Sequence, residues 1–158
     1  MNYPDPQTII DALGKIHDSE QGARLFEALN LKEKDLRPDP LNEQGRRIYE
    51  DKTRGLQLEF EDEGQRREIP YHDIGEGPWV LDQVFLRSEK GGGNAYPGVL
   101  PYGIRFDMSK NELSDLLGPP TKSSPRVDVW KKEQHKVFIN YDMKSGAVKS
   151  LGMQPPTD

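Results

Sequence analysis

The chain has no cysteine anywhere in its 158 residues. Without cysteine, a disulfide framework and a thiolate metal site are both excluded. Apolar residues make up only 33% of the chain. No segment approaches the roughly 18 consecutive apolar residues that a membrane-spanning helix needs. We therefore expect a soluble protein with a thin core and no membrane partner.

The first six residues carry no basic start, and no apolar run follows them. A secretory signal peptide has both features, and a lipid anchor of the bacterial lipoprotein type needs a cysteine. The sequence therefore predicts a cytoplasmic protein.

Charge is unevenly distributed along the chain. Residues 1–90 contain 20 acidic and 13 basic side chains, whereas residues 91–158 contain 7 acidic and 9 basic ones. An acidic half disfavours nucleic acid as a partner, because phosphates are bound by lysine and arginine. The same half suits a protein partner that presents a basic surface.

Periodicity predicts an α+β fold. Apolar residues at helical spacing indicate helices over 7–14, 20–29 and the segment after Ser109, where Ser109 and Glu112 form a capping box. Polar stretches with proline at 32–45 and 62–78 are predicted to be loops. Strands are predicted over 46–52, 56–61, 80–87, 127–132, 136–141 and 147–153.

The predicted elements occur in the same order in both halves, which suggests a duplication. When residue 49 is aligned with 130 and residue 81 with 148, each apolar position meets another, as follows: Leu56 with Val137, Leu58 with Ile139, Phe60 with Tyr141, Val84 with Leu151, and Leu86 with Met153. We therefore predict two tandem helix-plus-antiparallel-sheet units, residues 1–90 and 96–158, joined by a glycine-rich linker at 91–95. Because one small sheet cannot bury both of its faces, the units should lie side by side with the helices on one face.

The second half resembles a known bacterial unit. Its features are the segment from Tyr96 to Ile104, a helix that begins after Ser109 and stops at Leu117-Gly118-Pro119-Pro120, and Trp130 in the first of the following strands. This pattern resembles the SmpA/OmlA outer-membrane assembly lipoproteins, and a tandem pair of such units is similar to the β-lactamase inhibitor protein architecture. The segment also resembles bacterial proteins that confer immunity to delivered toxins. The resemblance implies an inhibitor that binds and occludes a toxin domain in the cytoplasm.

No motif in the chain indicates catalysis, a cofactor or a metal. The Gly-x-Ser-x-Gly motif is missing, and Gly91-Gly92-Gly93 lacks the Gly-Lys-Ser/Thr ending of a phosphate-binding loop. His17 and His72 each precede an aspartate, but a metal phosphohydrolase needs further ligands, and only His135 remains. We therefore predict a protein that is not an enzyme. An adaptor or chaperone for a secreted protein and a small hydrolase are the alternatives.

The predicted partner-binding residues are carboxylates and exposed aromatics. Alternation in the strand 56–61 sends Glu59 and Glu61 to the side away from Leu58 and Phe60, and alternation in 136–141 sends Phe138 to the same side. The opposing interpretation of these acids is an ordinary solvated strand face balanced by nearby arginines, namely Arg46, Arg47, Arg66 and Arg67. The full predicted set is Glu59, Glu61, Asp62, Glu63, Tyr71, Asp73, Tyr96, Tyr102 and Phe138.

Overall fold

The structure is a computed structural model that describes residues 3–68 and 74–156. Its described elements are four α-helices, three short 3-10 helices and eight strands. The helices are α1 (Pro6–Ala12), α2 (Glu20–Leu29), α3 (Glu63–Arg67) and α4 (Lys110–Leu117). The strands are β1 (Arg37–Asp39), β2 (Asn42–Asp51), β3 (Leu56–Asp62), β4 (Trp79–Arg87), β5 (Lys122–Ser123), β6 (Val127–Lys131), β7 (Lys136–Tyr141) and β8 (Val148–Gln154).

Polar residues cap the ends of α2 and α4. Ser19 begins α2 by accepting the N–H of Gly22 at 3.1 Å, and Asn30 ends it in the left-handed conformation at φ 56°. The predicted capping box of α4 is confirmed: Ser109 accepts the N–H of Glu112 at 3.1 Å, and the Glu112 carboxylate accepts the N–H of Ser109 at 3.2 Å.

All eight strands form one antiparallel sheet in the order β1-β2-β3-β4-β8-β7-β6-β5. The prediction of an α+β protein with an antiparallel sheet is therefore confirmed. Residues 84–87 of β4 pair with residues 150–153 of β8 at the centre of the sheet, and we call this junction the seam. The other end of β4 is paired with the segment 14–17, where the N–H of His17 donates to the carbonyl of Trp79 at 2.7 Å.

Two predicted loops contain regular structure. The segment 32–45 holds a 3-10 turn at Glu33–Asp35, all of β1 and the start of β2. The segment 62–78 begins with α3, which was expected to be loop. Both stretches have few apolar residues and several prolines and glycines, so they lack the apolar periodicity from which an element is predicted.

Buried apolar side chains form one cluster that draws on the helices and on one side of the sheet. The strands contribute Leu58, Val84, Ile139 and Leu151, each no more than 1% exposed. The helices contribute residues such as Ile9, Leu25 and Leu113. Between the halves, Ser88 donates to the carbonyl of Val148 at 2.6 Å, so the chain after β4 stays attached to β8.

Candidate protein-binding surface

The second side of the sheet carries the residues that alternate with the buried ones. We call this side the outward face. In β3 it presents Gln57, Glu59 and Glu61, and in β7 it presents Phe138 and Asn140. Strand register adds residues opposite them in neighbouring strands, among them Arg46, Ile48, Glu50, Gln83, Phe85, Val127, Val129, Ser150 and Gly152.

Arg46 sits among four carboxylates on the outward face. Its guanidinium lies 3.1 Å from Asp82, 3.3 Å from Glu59, 3.5 Å from Glu61 and 3.8 Å from Asp39. Burial alone would lower the pKa of Arg46, but the hydrogen bond and charge of Asp82, followed by the charges of Glu59 and Glu61, raise it. We call these five residues the Arg46 cluster.

A β-bulge and α3 complete the Arg46 cluster. Between Glu59 and Phe60 the register with β4 shifts by one residue, which inserts Asp82 as the extra residue. From α3, Arg66 reaches Asp82 at 2.7 Å and Glu61 at 3.9 Å. Glu59 and Glu61 therefore lie side by side as predicted, but they are bound to arginines and only 18% and 21% exposed.

Asp62 is a buried loop anchor. By alternation it falls on the side of Phe60, and it is 0% exposed. Its carboxylate accepts the backbone N–H groups of Gly64, Gln65, Gly75 and Gly77 at 2.8 to 3.2 Å. Burial alone would raise the pKa of Asp62, but these N–H donors together lower it. Asp62 therefore offers no surface to a partner.

Glu63 follows Asp62 at the start of α3. Its side chain is 17% exposed and lies 3.3 Å from Arg67. Tyr71 and Asp73, which were also predicted as contacts, lie outside the described residues, as does His72.

Phe85 and Phe138 meet across the seam. Their ring centroids are 5.8 Å apart at an interplanar angle of 82°, which is an edge-to-face arrangement. Both rings are half-buried, and the strand neighbours Val127 and Val129 are half-buried too. Phe85 was not predicted as a contact, although the alignment of Val84 with Leu151 and of Leu86 with Met153 puts Phe85, which lies between them, on the opposite side of the strand.

The two predicted tyrosines within the described residues, Tyr96 and Tyr102, have different surroundings. Tyr96 is 4% exposed and packs edge-to-face on Tyr3 at 5.3 Å, and burial raises its pKa to about 12. Tyr96 therefore cannot reach a partner. Tyr102 is 41% exposed, and its hydroxyl lies 2.8 Å from Nε2 of the buried His135, on which its ring stacks. Burial raises the pKa of Tyr102.

A groove of about 650 Å³ opens on the outward face at the seam. Glu50, Gln57, Phe85 and Arg87 line it from the first half, and Asn140 and Ser150 from the second. Arg87 is held by Glu50 at 2.8 Å and by the side-chain carbonyl of Gln57. Asn140 donates to the Ser150 hydroxyl at 3.0 Å.

Histidines and acids do not assemble into a metal site in the described part of the chain. There, no group of three or more histidine, aspartate or glutamate side chains is placed to hold a metal ion. His17 accepts the N–H of Trp79 on Nδ1 at 3.1 Å, and its Nε2 lies 3.6 Å from Glu33. Within the described ranges, no helix has the length and apolar character to cross a bilayer.

Comparison of the chain with protein-family models, with curated protein sequences and with solved structures found no match.

Proposed function

We propose that this chain is an immunity-type inhibitor that binds a bacterial toxin domain through its outward face and occludes the toxin in the cytoplasm of the producing cell. No residue performs chemistry in this proposal. The observation that carries it is the half-buried Phe85–Phe138 pair. The apolar strand residues on the opposite side of β3, β4, β7 and β8 are almost completely buried, so the outward face, where this pair lies at the seam, is the side that leaves apolar strand surface for a partner. Aromatic residues of this kind are common anchors in protein interfaces.

The tandem-unit proposal is supported by strand register. Leu58 pairs with Val84 in the first half, and the aligned residues Ile139 and Leu151 pair in the second. At the seam, Val84 pairs with Met153 and Leu86 with Leu151. Val84 is aligned with Leu151 and Met153 with Leu86, so replacing both members of the first seam pair by their aligned residues gives the second seam pair.

A pseudo-two-fold relation of this kind follows when two similar units join by the same edge strand. Because β4 and β8 are equivalent strands of the two units, their edges can pair antiparallel about a two-fold axis, as in an isologous interface. Joined in this way, the units expose one continuous outward face across the seam. This continuity makes the face long enough for a protein partner.

The proposed contact set is revised by burial. Phe85 joins Phe138 at the centre, while Glu59, Glu61 and Glu63 lie toward the first-half side and Tyr102 lies in a separate loop. Asp62 and Tyr96 leave the set because they are buried. Because Glu59 and Glu61 are paired with Arg46, we assign them to the edge of the contact and not to a free acidic surface.

Growth rescue tests the proposal. Toxin domains encoded beside the gene are co-expressed with the wild-type chain, with the Phe85→Ala/Phe138→Ala variant and with Leu116→Ala as the control. Leu116 lies on α4 and is 43% exposed, so it is an accessible apolar side chain that does not belong to the outward face.

We expect rescue by the wild type and the control, and loss of rescue by the aromatic variant. Binding without any inhibition of the partner would instead support an adaptor or chaperone. Failure of the wild type to neutralise any neighbouring toxin, or full rescue by the aromatic variant, would contradict the proposal.

A further inference from the structure

Three exposed cations line the seam groove. Lys52, Arg126 and Lys149 line the groove, all are exposed, and none makes an ion pair with a described residue. This contrasts with Arg87 in the same groove, which is held by Glu50.

The two carboxylates that line the groove are paired with arginines. Glu50 pairs with Arg87 at 2.8 Å, and Glu59 pairs with Arg46 at 3.3 Å while also accepting from the side-chain amide of Gln57 at 2.7 Å. The charge available to a ligand in the groove is therefore positive. At the adjoining turn, the Asp142 carboxylate accepts hydrogen bonds from the hydroxyl and the N–H of Ser145. These hydrogen bonds lower the pKa of Asp142, and the charges of Lys90 and Lys144 lower it further.

An apolar patch adjoins these cations. Phe85 forms part of the groove lining beside the edge of Phe138, and Met143 is 59% exposed at the rim. Methionine is an adaptable contact for apolar side chains. The Asn140 and Ser150 side chains add hydrogen-bonding groups to the lining of the groove.

We propose that the seam groove binds an acidic segment of the protein partner, with carboxylates on Lys52, Arg126 and Lys149 and an apolar side chain against Phe85 and Met143. This rests on the proposed function, because it names the chemistry of the partner that the outward face receives. It reverses the charge expected from the acidic first half, since the two acids that line the groove, Glu50 and Glu59, are paired with Arg87 and Arg46.

A protein segment fits this groove better than a nucleic acid does. A polyanion that filled the groove would continue over the outward face toward the Arg46 cluster, where four carboxylates face two arginines. Repulsion there opposes a long, uniformly charged ligand. A peptide can instead place its few carboxylates locally.

The test is equilibrium binding of defined probes by fluorescence anisotropy at low and at physiological salt. The probes are a short labelled peptide rich in glutamate with one central phenylalanine, the same peptide with lysine in place of glutamate, and a single-stranded DNA oligonucleotide. The variants are Arg126→Glu/Lys149→Glu and the charge-matched control Lys15→Glu/Lys34→Glu, whose residues are exposed and lie outside the groove lining.

We expect the glutamate peptide to bind the wild type and the control equally, and the groove variant to bind at least about tenfold more weakly. Its affinity should fall as salt rises, because exposed charges are screened. The lysine peptide and the DNA should bind more weakly than the glutamate peptide. Equal binding to the groove variant, tighter binding of DNA, or no binding of the glutamate peptide would overturn the proposal.

The growth assay separates this proposal from the proposed function. If rescue depends on Phe85 and Phe138 but the glutamate peptide does not bind, the partner chemistry is wrong and the inhibitor function stands. If the peptide binds but no toxin is neutralised, the groove is correctly assigned and the inhibitor function is wrong.

Discussion

The ring of Phe138 lies over Gly152 in the neighbouring strand, in the place that a side chain at residue 152 would fill. A Cβ at Gly152 would come within 2.0 Å of the tip of that ring. Residues 138 and 152 are direct partners in the β7–β8 ladder. In the first half the corresponding pair is Gln57 and Phe85, so the aromatic ring changes strand between the halves. The glycine therefore makes room for a second aromatic beside Phe85 at the seam.

Gly152→Ala should push the Phe138 ring away from the β8 backbone. Overpacking of this kind costs about 1 to 3 kcal/mol of unfolding free energy, and the half-buried ring should keep the cost near the lower end. Urea unfolding measures it. In a double-mutant cycle with Phe138→Ala, the cost of Gly152→Ala should largely vanish. An unchanged cost in the Phe138→Ala background would show that the ring does not occupy this space.

Arg46→Met should destabilise the protein by roughly 1 to 3 kcal/mol, because it leaves half-buried carboxylates crowded without their shared cation. Chemical unfolding measures the loss, and added salt should reduce it by screening the repulsion among the remaining acids. The control is Arg24→Met, which breaks an exposed i,i+4 pair with Glu20 and should cost about 0.5 kcal/mol or less. Equal costs for the two variants would mean that the Arg46 cluster contributes no more than a surface ion pair.

Asp62→Ala should cost roughly 2 to 3 kcal/mol, because backbone N–H groups in buried loop positions lose their acceptor. Asp5→Ala is the control, since Asp5 caps α1 through a single exposed N–H and should cost about 1 kcal/mol. The pKa of Asp62 is lowered from 3.8, so its contribution is present above that pH and is lost as pH falls through the folded-state value. An acid-unfolding profile that is the same in Asp62→Asn and the wild type would contradict this role.

His135 should make stability depend on pH in the mildly acidic range. Burial, and then the charge of Lys132, lower the pKa of His135 from 6.5, so the unfolded chain binds this proton more readily than the folded chain. The free energy of unfolding should therefore fall as pH is lowered from about 6.5 toward the folded-state pKa of His135. His135→Gln should flatten that part of the profile, measured by urea unfolding at a series of pH values. A slope that is unchanged in His135→Gln would assign it to another group.

Much of the fold was predictable because its signals are local. The strand 56–61 alternates strictly, and Ser109 with Glu112 specifies a helix start, and both appear as expected. Alternation places Asp62 on the same side of the strand as the buried Phe60, whereas its position at the start of the predicted loop 62–78 favours exposure. The segment 63–67 carries no apolar stripe, so α3 depends on the Asp62 cap and could not be predicted from periodicity.

The chemistry of the outward face depends on tertiary contacts that one-dimensional patterns do not contain. The one-residue bulge that inserts Asp82 beside Arg46 is set by the pairing of β3 with β4. The seam groove exists because β4 pairs with β8, which brings Arg126 and Lys149 beside first-half residues such as Phe85 and Arg87. The sequence therefore indicated which residues share the outward face, but it did not indicate which charges on that face remain available.

The most direct test of the account is calorimetric titration of a neutralised toxin domain with Phe138→Asp and with Leu116→Asp, after circular dichroism has shown both variants to be folded. If the outward face docks the partner, Phe138→Asp should weaken binding by about 2 kcal/mol or more, and Leu116→Asp should leave it near the wild-type value. Wild-type affinity in Phe138→Asp together with lost binding in Leu116→Asp would place the contact on the helical side and contradict the account.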